Sequence, residues 1–288
     1  MSLGLALAGG GLQGIAHIGA IKAFNDLGIK FDYISGTSSG SIFATMYAIG
    51  FSTDEMKEFA KVYYKTLTNF EKRKIAYGII SYLPHREIKV EGLISGEKIE
   101  EIVKNVASKK GIKNISDIKM PLAIPTVDTI STNECISISK KYNLNREYID
   151  YIYDIPIGKA VRASMSFPGI FTTCNFGKYN FIDGGTKDNL PIQVLKDMGA
   201  TKTIGLSFSI DKYTPSNNIF SVLLRAVDIF SQKDVRTAQK IADIAIEFDT
   251  QGTSLLEITD LEQCYQIGYD EIMKHKAQIL NLLKKEDE

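Results

Sequence analysis

The chain has 288 residues, of which 44% are hydrophobic and 24% charged, with Lys+Arg and Asp+Glu both at 34. A chain of this size and composition can bury a full core, and its zero net charge argues against nucleic acid as the main partner, because phosphate binding needs a basic excess or a basic face. Three cysteines, Cys135, Cys174 and Cys264, lie far apart with no CxxC pair and no Cys/His cluster at metal-ligand spacing, which reads as reduced thiols in a cytoplasmic protein.

The N-terminus is apolar but lacks a basic n-region, since the first lysine is Lys22. Leu3 to Ala8 therefore reads as a buried strand rather than a signal peptide. Gly9-Gly10-Gly11 ends it, and Ile15 to Leu27 shows helical spacing stopped by Gly28. Phe31 to Ile34 reads as a second strand, followed by Gly36-Thr37-Ser38-Ser39-Gly40 and a helix over Ile42 to Ile49. Strand, glycine turn, helix, strand, tight turn, helix implies a parallel sheet covered by helices.

Further helices are expected over Ser52–Tyr64, Ser95–Ala107, Ile157–Ser164 and Ile192–Met198, the last stopped by Gly199. Leu122–Ile130 and Glu134–Ser139 read as paired strands, and Thr203–Ser209 and Ala245–Phe248 as further strands. Ile219–Lys240 and Leu261–Leu283 read as mostly helical. Residues 70 to 92 read as irregular, with Lys72-Arg73-Lys74 before Tyr77, Ile79, Ile80, Tyr82 and Leu83. Cations beside apolar and aromatic residues suit an anionic membrane interface, although a partly buried loop with a solvated charge run is the simpler explanation. The Ile219–Leu224 stretch offers a second such contact. No apolar run is long enough to span a bilayer, so the expected membrane contact is peripheral. No repeat or linker breaks the chain, and one domain over 1–288 is expected.

Three motifs carry chemistry. Gly36-Thr37-Ser38-Ser39-Gly40 is a GxSxG between strand and helix, the setting of a nucleophile elbow. The helix N-terminus behind it adds positive potential and free N–H groups. Gly9-Gly10-Gly11-Leu12-Gln13-Gly14 places consecutive backbone N–H groups where they can converge on an oxyanion. The same turn fits the GxGxxG of dinucleotide-binding proteins, with Asp32 about twenty residues on as the acidic partner. Asp32, however, falls near the start of its strand and not at its end. Asp183-Gly184-Gly185, with Asn189 and Pro191 after it, puts a carboxylate at a strand end beside backbone that can approach closely.

Taken together, the glycine turn, the elbow serine, Ala163-Ser164-Met165-Ser166-Phe167-Pro168 and the Asp-Gly-Gly resemble the patatin-like phospholipase family over roughly residues 3 to 206. The remainder, 207–288, carries no matching motif and is expected to be mainly helical. The resemblance implies an α/β fold, a three-layer α/β/α sandwich on a mainly parallel sheet. It implies lipid acyl hydrolysis by a Ser38–Asp183 dyad through an acyl-enzyme. It further implies that Gly9, Gly10 and Gly11 form the oxyanion hole and that Gly36, Gly40, Gly184 and Gly185 support the two catalytic turns. No metal or cofactor is required. Transfer of the acyl group to an alcohol is the close alternative, and nucleotide binding at the GxGxxG turn the distant one. Where the family usually has a basic residue after the glycine turn, this chain has Gln13. A Ser-Asp-His triad is disfavoured: of His17, His85 and His275, only His275 follows Asp183, and it sits between Lys274 and Lys276.

Overall fold

The computed structural model describes residues 1–65, 92–209, 219–250 and 260–284. The expected membrane segment 72–83 and His85 lie outside them.

The strands are β1 (Leu3–Leu7), β2 (Tyr33–Gly36), β3 (Gly92–Ile94), β4 (Leu122–Asp128), β5 (Glu134–Ile138), β6 (Ile149–Ile152), β7 (Gly169–Phe171), β8 (Cys174–Phe176), β9 (Tyr179–Asp183), β10 (Lys202–Phe208) and β11 (Ile244–Phe248). The helices are α1 (Ala16–Asp26), α2 (Ser39–Ala48), α3 (53–65), α4 (Glu97–Ser108), α5 (Ile157–Ser164), α6 (Ile192–Met198), α7 (Ile219–Ile241), α8 (Leu261–Lys274) and α9 (Lys276–Lys284). Nine strands form one mixed sheet in the order β11-β10-β1-β2-β4-β5-β6, with β9 joined to β4 and β8 to β9. The run from β11 to β4 is parallel throughout. A separate parallel pair joins β3 to β7.

Strand β1 shows how the layers arise from sequence. Side chains alternate across a strand. Leu3, Leu5 and Leu7 enter the larger core, shared with α1, α2 and α8. Ala6 and Ala8 enter the smaller core, shared with α6 and α7. Small residues on that face let α6 come close: a Cβ at Gly4 would lie 3.2 Å from Leu195 Cδ1. The result is the α/β/α sandwich expected from the sequence. At α1 and α8 the approach is closer still, since a Cβ at Gly268 would fall 1.9 Å from the Ala16 carbonyl oxygen.

Strand β4 organises the centre. Its one edge pairs with β5, as the expected hairpin. Its other edge is shared end to end: β2 pairs at Leu122 and Ala123, and antiparallel β9 pairs at Thr126 to Asp128. The two strands thus run toward one another along a single edge. Ser35 faces Ala123 and Asp183 faces Thr126, so the chain leaving β2 reaches Ser38 level with Asp183.

Several boundaries differ from the sequence expectation. The second strand is Tyr33–Gly36, two residues later than Phe31–Ile34. Phe31 is apolar because it packs edge-on against Phe24 of α1, with ring centroids 4.9 Å apart, and not because it joins the sheet. Helix α2 begins at Ser39 rather than Ile42, its first residues being small and polar. The apolar run Leu261–Leu283 is two helices, parted at His275, which caps α8 and whose Nδ1 lies 2.9 Å from the Glu271 carbonyl.

Candidate active site

The GxSxG turn is tight because two backbones nearly touch. A Cβ on Gly36 would lie 2.4 Å from the Gly40 carbonyl oxygen, and one on Gly40 would lie 2.2 Å from that of Leu7. Only glycine fits either place. Between them Ser38 adopts φ +52° and ψ −125°, a conformation that L-residues avoid. Such strain at a serine between strand and helix is what an elbow requires.

Hydroxyls and a polar loop hold this conformation. Thr37 Oγ1 donates to the Asp188 carbonyl at 2.7 Å, and Ser35 Oγ to that of Pro191 at 2.7 Å. The Ser38 N–H donates to Ser164 Oγ at 2.9 Å. Two residues on from Ser164, the Ser166 carbonyl accepts from the Asp183 N–H at 3.0 Å. One short segment at the end of α5 therefore holds both candidate catalytic residues. Sequence reasoning matched Ala163–Pro168 as a pattern but could not assign this role, because it rests on contacts between residues distant in the chain.

Replacing Ser164 with Ala leaves the Ser38 N–H without its acceptor. Losing that hydrogen bond is expected to cost about 1–3 kcal/mol of stability. The loosened nucleophile is expected to lose about 10- to 100-fold in kcat. Urea unfolding and ester hydrolysis measured side by side check both numbers; an unchanged kcat would remove Ser164 from the positioning of Ser38.

Asp183 ends β9 and is 1% exposed. Its Oδ1 accepts from the Gly185 N–H at 2.7 Å, while Oδ2 is buried with no partner in hydrogen-bond geometry. Burial pushes its pKa up to about 7, against the opposing pull of the Ser38 hydroxyl and the Gly185 N–H. The serine is thus close enough to influence the carboxyl without yet making a well-formed bond to Oδ2. Hydrogen bonds in unliganded sites are often loose in this way and tighten around the reacting substrate. Gly184 is held against the same place: its Cβ would meet the Pro125 carbonyl oxygen at 2.3 Å and Thr37 Cγ2 at 3.1 Å.

The glycine turn sits beside Ser38. A Cβ on Gly9 would lie 2.8 Å from Ser38 Cβ and 2.6 Å from Asn189 Oδ1. The Gly9 N–H donates to Asn189 Oδ1 at 3.0 Å, and Asn189 Nδ2 donates back to the Gly9 carbonyl at 3.4 Å. The Gly10 N–H donates to Ser39 Oγ at 3.1 Å, and Gly11 takes φ +57°. So Gly9, expected from sequence as an oxyanion donor, has its N–H already engaged by Asn189. Gln13 is 6% exposed and lines the same cleft as Gly9, Gly10, Ser38 and Asp183. Arg225, on α7, lines it too. That cation was not foreseen, because nothing in the sequence pairs α7 with the motifs.

The histidines stand apart from this chemistry. His17 is fully buried, its Nε2 lies 2.9 Å from the Ala8 carbonyl, and its ring packs against Phe208. Burial lowers its pKa to about 4. His275 lies at the α8 end with Glu271. Asp32 accepts from the Leu3 N–H, at the strand start and so at the sheet edge opposite the glycine turn. A ligand on that turn would find no acidic partner in Asp32, which removes the support for the dinucleotide reading. Among the described residues no helix is long and apolar enough to cross a membrane, and no group of acidic, His and Cys side chains could hold a metal ion.

Known proteins share this fold. Solved structures similar in fold are VipD of Legionella pneumophila (TM-score 0.51, 13% identity, 95% of this chain and 66% of that one) and the type III effector ExoU of Pseudomonas aeruginosa (TM-score 0.50, 14% identity, 96% and 53%). In sequence, the chain is 35% identical to the uncharacterized protein R571 of Acanthamoeba polyphaga mimivirus over 97% of its own length and 94% of the relative's. It is 27% identical to the lysophospholipase NTE1 of Meyerozyma guilliermondii over 80% of its own length. It spans only 15% of that much longer relative. The family profile described as patatin-like phospholipase matches residues 5–196, the stretch that holds the glycine turn, the elbow and the Asp-Gly-Gly loop. On that match, and on the fold and site that accompany it, the chain belongs to the patatin-like phospholipase family.

Proposed function

We propose that this protein is a lipid acyl hydrolase working through a Ser38–Asp183 dyad. The observation that carries the reading is the strained Ser38 beside a buried carboxyl whose Oδ2 has no partner. An ordinary aspartate is too weak a base for a serine hydroxyl, but one raised to about 7 by burial is poised for the task at neutral pH. Ser38 Oγ attacks the acyl carbonyl, and its proton passes to Asp183 Oδ2. The carbonyl oxygen becomes an oxyanion. Collapse of the adduct expels the alcohol, which takes the proton from Asp183, and leaves the acyl group on Ser38. Water then attacks, giving its proton to Asp183, and the fatty acid leaves as Ser38 is restored.

The oxyanion donors in this proposal are the Gly10 and Gly11 N–H groups. Gly10 exchanges its bond to Ser39 Oγ for one to the oxyanion, while Gly9 holds the turn in place through Asn189. The family match and the NTE1 relative support phospholipids or lysophospholipids as substrates.

The test uses a fluorophosphonate, which reacts with activated serines, and a lysophospholipid. Intact mass should show one adduct, peptide mapping should place it on Ser38, and fatty acid should be released from the lysophospholipid by unlabelled enzyme only. An adduct elsewhere, or no release, overturns the proposal.

A further inference from the structure

One side of α7 forms a wall of the catalytic cleft, through Arg225, Asp228, Ser231, Gln232 and Val235. These positions share one arc of a helix with about 100° between successive residues. A different arc carries Val222, Ile229 and Phe230, which are 47%, 60% and 68% exposed. Single exposed apolar side chains are ordinary, but three at i, i+7 and i+8 form a stripe. The same stripe continues with Lys233, Arg236 and Lys240, all exposed. Of the two acidic residues of α7, Asp228 lies on the cleft wall and Asp234 borders the Phe230 edge of the stripe, about 40° round the helix.

We infer that this stripe of α7 is the surface by which the protein seats itself on an anionic lipid layer. Apolar side chains beside cations, on the outer face of one helix, match the chemistry of a negatively charged interface. The stripe is also continuous with the cleft, because the same helix bounds both. A layer held there presents its acyl esters at the mouth of the site. A second copy of the chain fits poorly. Packing stripe on stripe would bring the cations against one another or against the apolar trio. The inference rests on the lipid-hydrolase reading for its purpose, but its test does not depend on turnover.

The experiment is co-sedimentation of the Ser38→Ala protein with vesicles of phosphatidylcholine containing phosphatidylserine, and with vesicles of phosphatidylcholine alone. Binding is expected to the first and to be markedly weaker to the second. Ile229→Ser with Phe230→Ser should lower binding at least about tenfold. Neutralising Lys233 or Arg236 to Gln should lower it about fivefold each on the anionic vesicles alone. In the Ser38 background these variants read binding. In the wild-type background, hydrolysis of p-nitrophenyl butyrate, a soluble ester, should be unchanged, since none of these residues lines the cleft. Unaltered vesicle binding by the variants, or equal affinity for both vesicles, overturns the inference. So does a dimer in light scattering that the Ile229/Phe230 variant dissociates, which would assign the stripe to a second copy. If p-nitrophenyl butyrate is not hydrolysed while anionic vesicles are bound through α7, the hydrolase reading falls and the surface stands.

Discussion

Ser38→Ala is expected to lower kcat/KM for acyl esters about ten-thousandfold while leaving the protein folded. The size follows from removing the only group that can form the acyl-enzyme in the proposed mechanism; what survives comes from binding and oxyanion stabilisation. Stability should hardly move, because alanine keeps the Cβ that makes φ +52° unfavourable. Ser38→Gly is the informative companion. Removing the Cβ releases the strain, so this variant should gain about 1–3 kcal/mol while being just as inactive. Hydrolysis of p-nitrophenyl esters and denaturant unfolding of the three proteins check the pair of expectations. Substantial activity in Ser38→Ala would remove the nucleophile from the proposal. Equal stability of the Ala and Gly variants is the outcome the strain argument predicts against.

Asp183→Asn is expected to be inactive and more stable than the wild type, with a gain that depends on pH. The activity part has a simple sign. A base must be unprotonated, so wild-type kcat/KM should rise with pH and level off above about 7, the value to which burial pushes Asp183. The stability part runs the other way. Folding raises this carboxyl from its ordinary 3.8 to about 7, so between those values the folded protein binds a proton that the unfolded chain does not. Wild-type stability from this group is therefore highest below about 4 and is lost as pH climbs through 7. Above 7 the buried charge costs of the order of 4 kcal/mol, a cost that asparagine does not carry. Glu134, raised to about 7 by burial, and Asp188, raised well above its ordinary value by burial, add their own pH dependence. They are present in both proteins, so the difference between wild type and variant isolates Asp183. Urea titrations at pH 5 and pH 8 measure it; a gain that is equal at both would assign the effect to packing rather than charge.

Much of this site was legible in the sequence because its backbone demands are local. Gly36 and Gly40 are required by contacts within the turn and with β1, and the spacing of that turn announced the elbow. Helices α5 and α6 fall where the sequence placed them, the second stopped by the left-handed Gly199. What was not legible is relational. Ser164 and Asn189 earn their roles from hydrogen bonds to Ser38 and Gly9 across long stretches of chain. Gly9 looked identical to its neighbours until Asn189 was seen to occupy its N–H. Arg225 reached the cleft only through the packing of α7. The short strands β6 and β8 escaped notice because they are half exposed and too brief to show alternation. Phe31 misled for the opposite reason, since burial in a helix layer and burial in a strand write the same apolar letters.

The shared edge of β4 has a consequence for the order in which the protein becomes competent. Ser38 follows β2 and Asp183 ends β9, strands that never pair with each other; each is located by its own register on β4. The elbow can form from nearby chain as soon as β1, β2 and α2 come together. The aspartate arrives only when β9 closes a much longer loop, and closing such loops is the slow part of folding. During refolding the turn would therefore exist before it has its base or the hydrogen bonds to Ser164, Asp188 and Pro191 that hold it. Ester turnover is then a clock for the docking of β9, and it would start late, after most of the secondary structure has already returned.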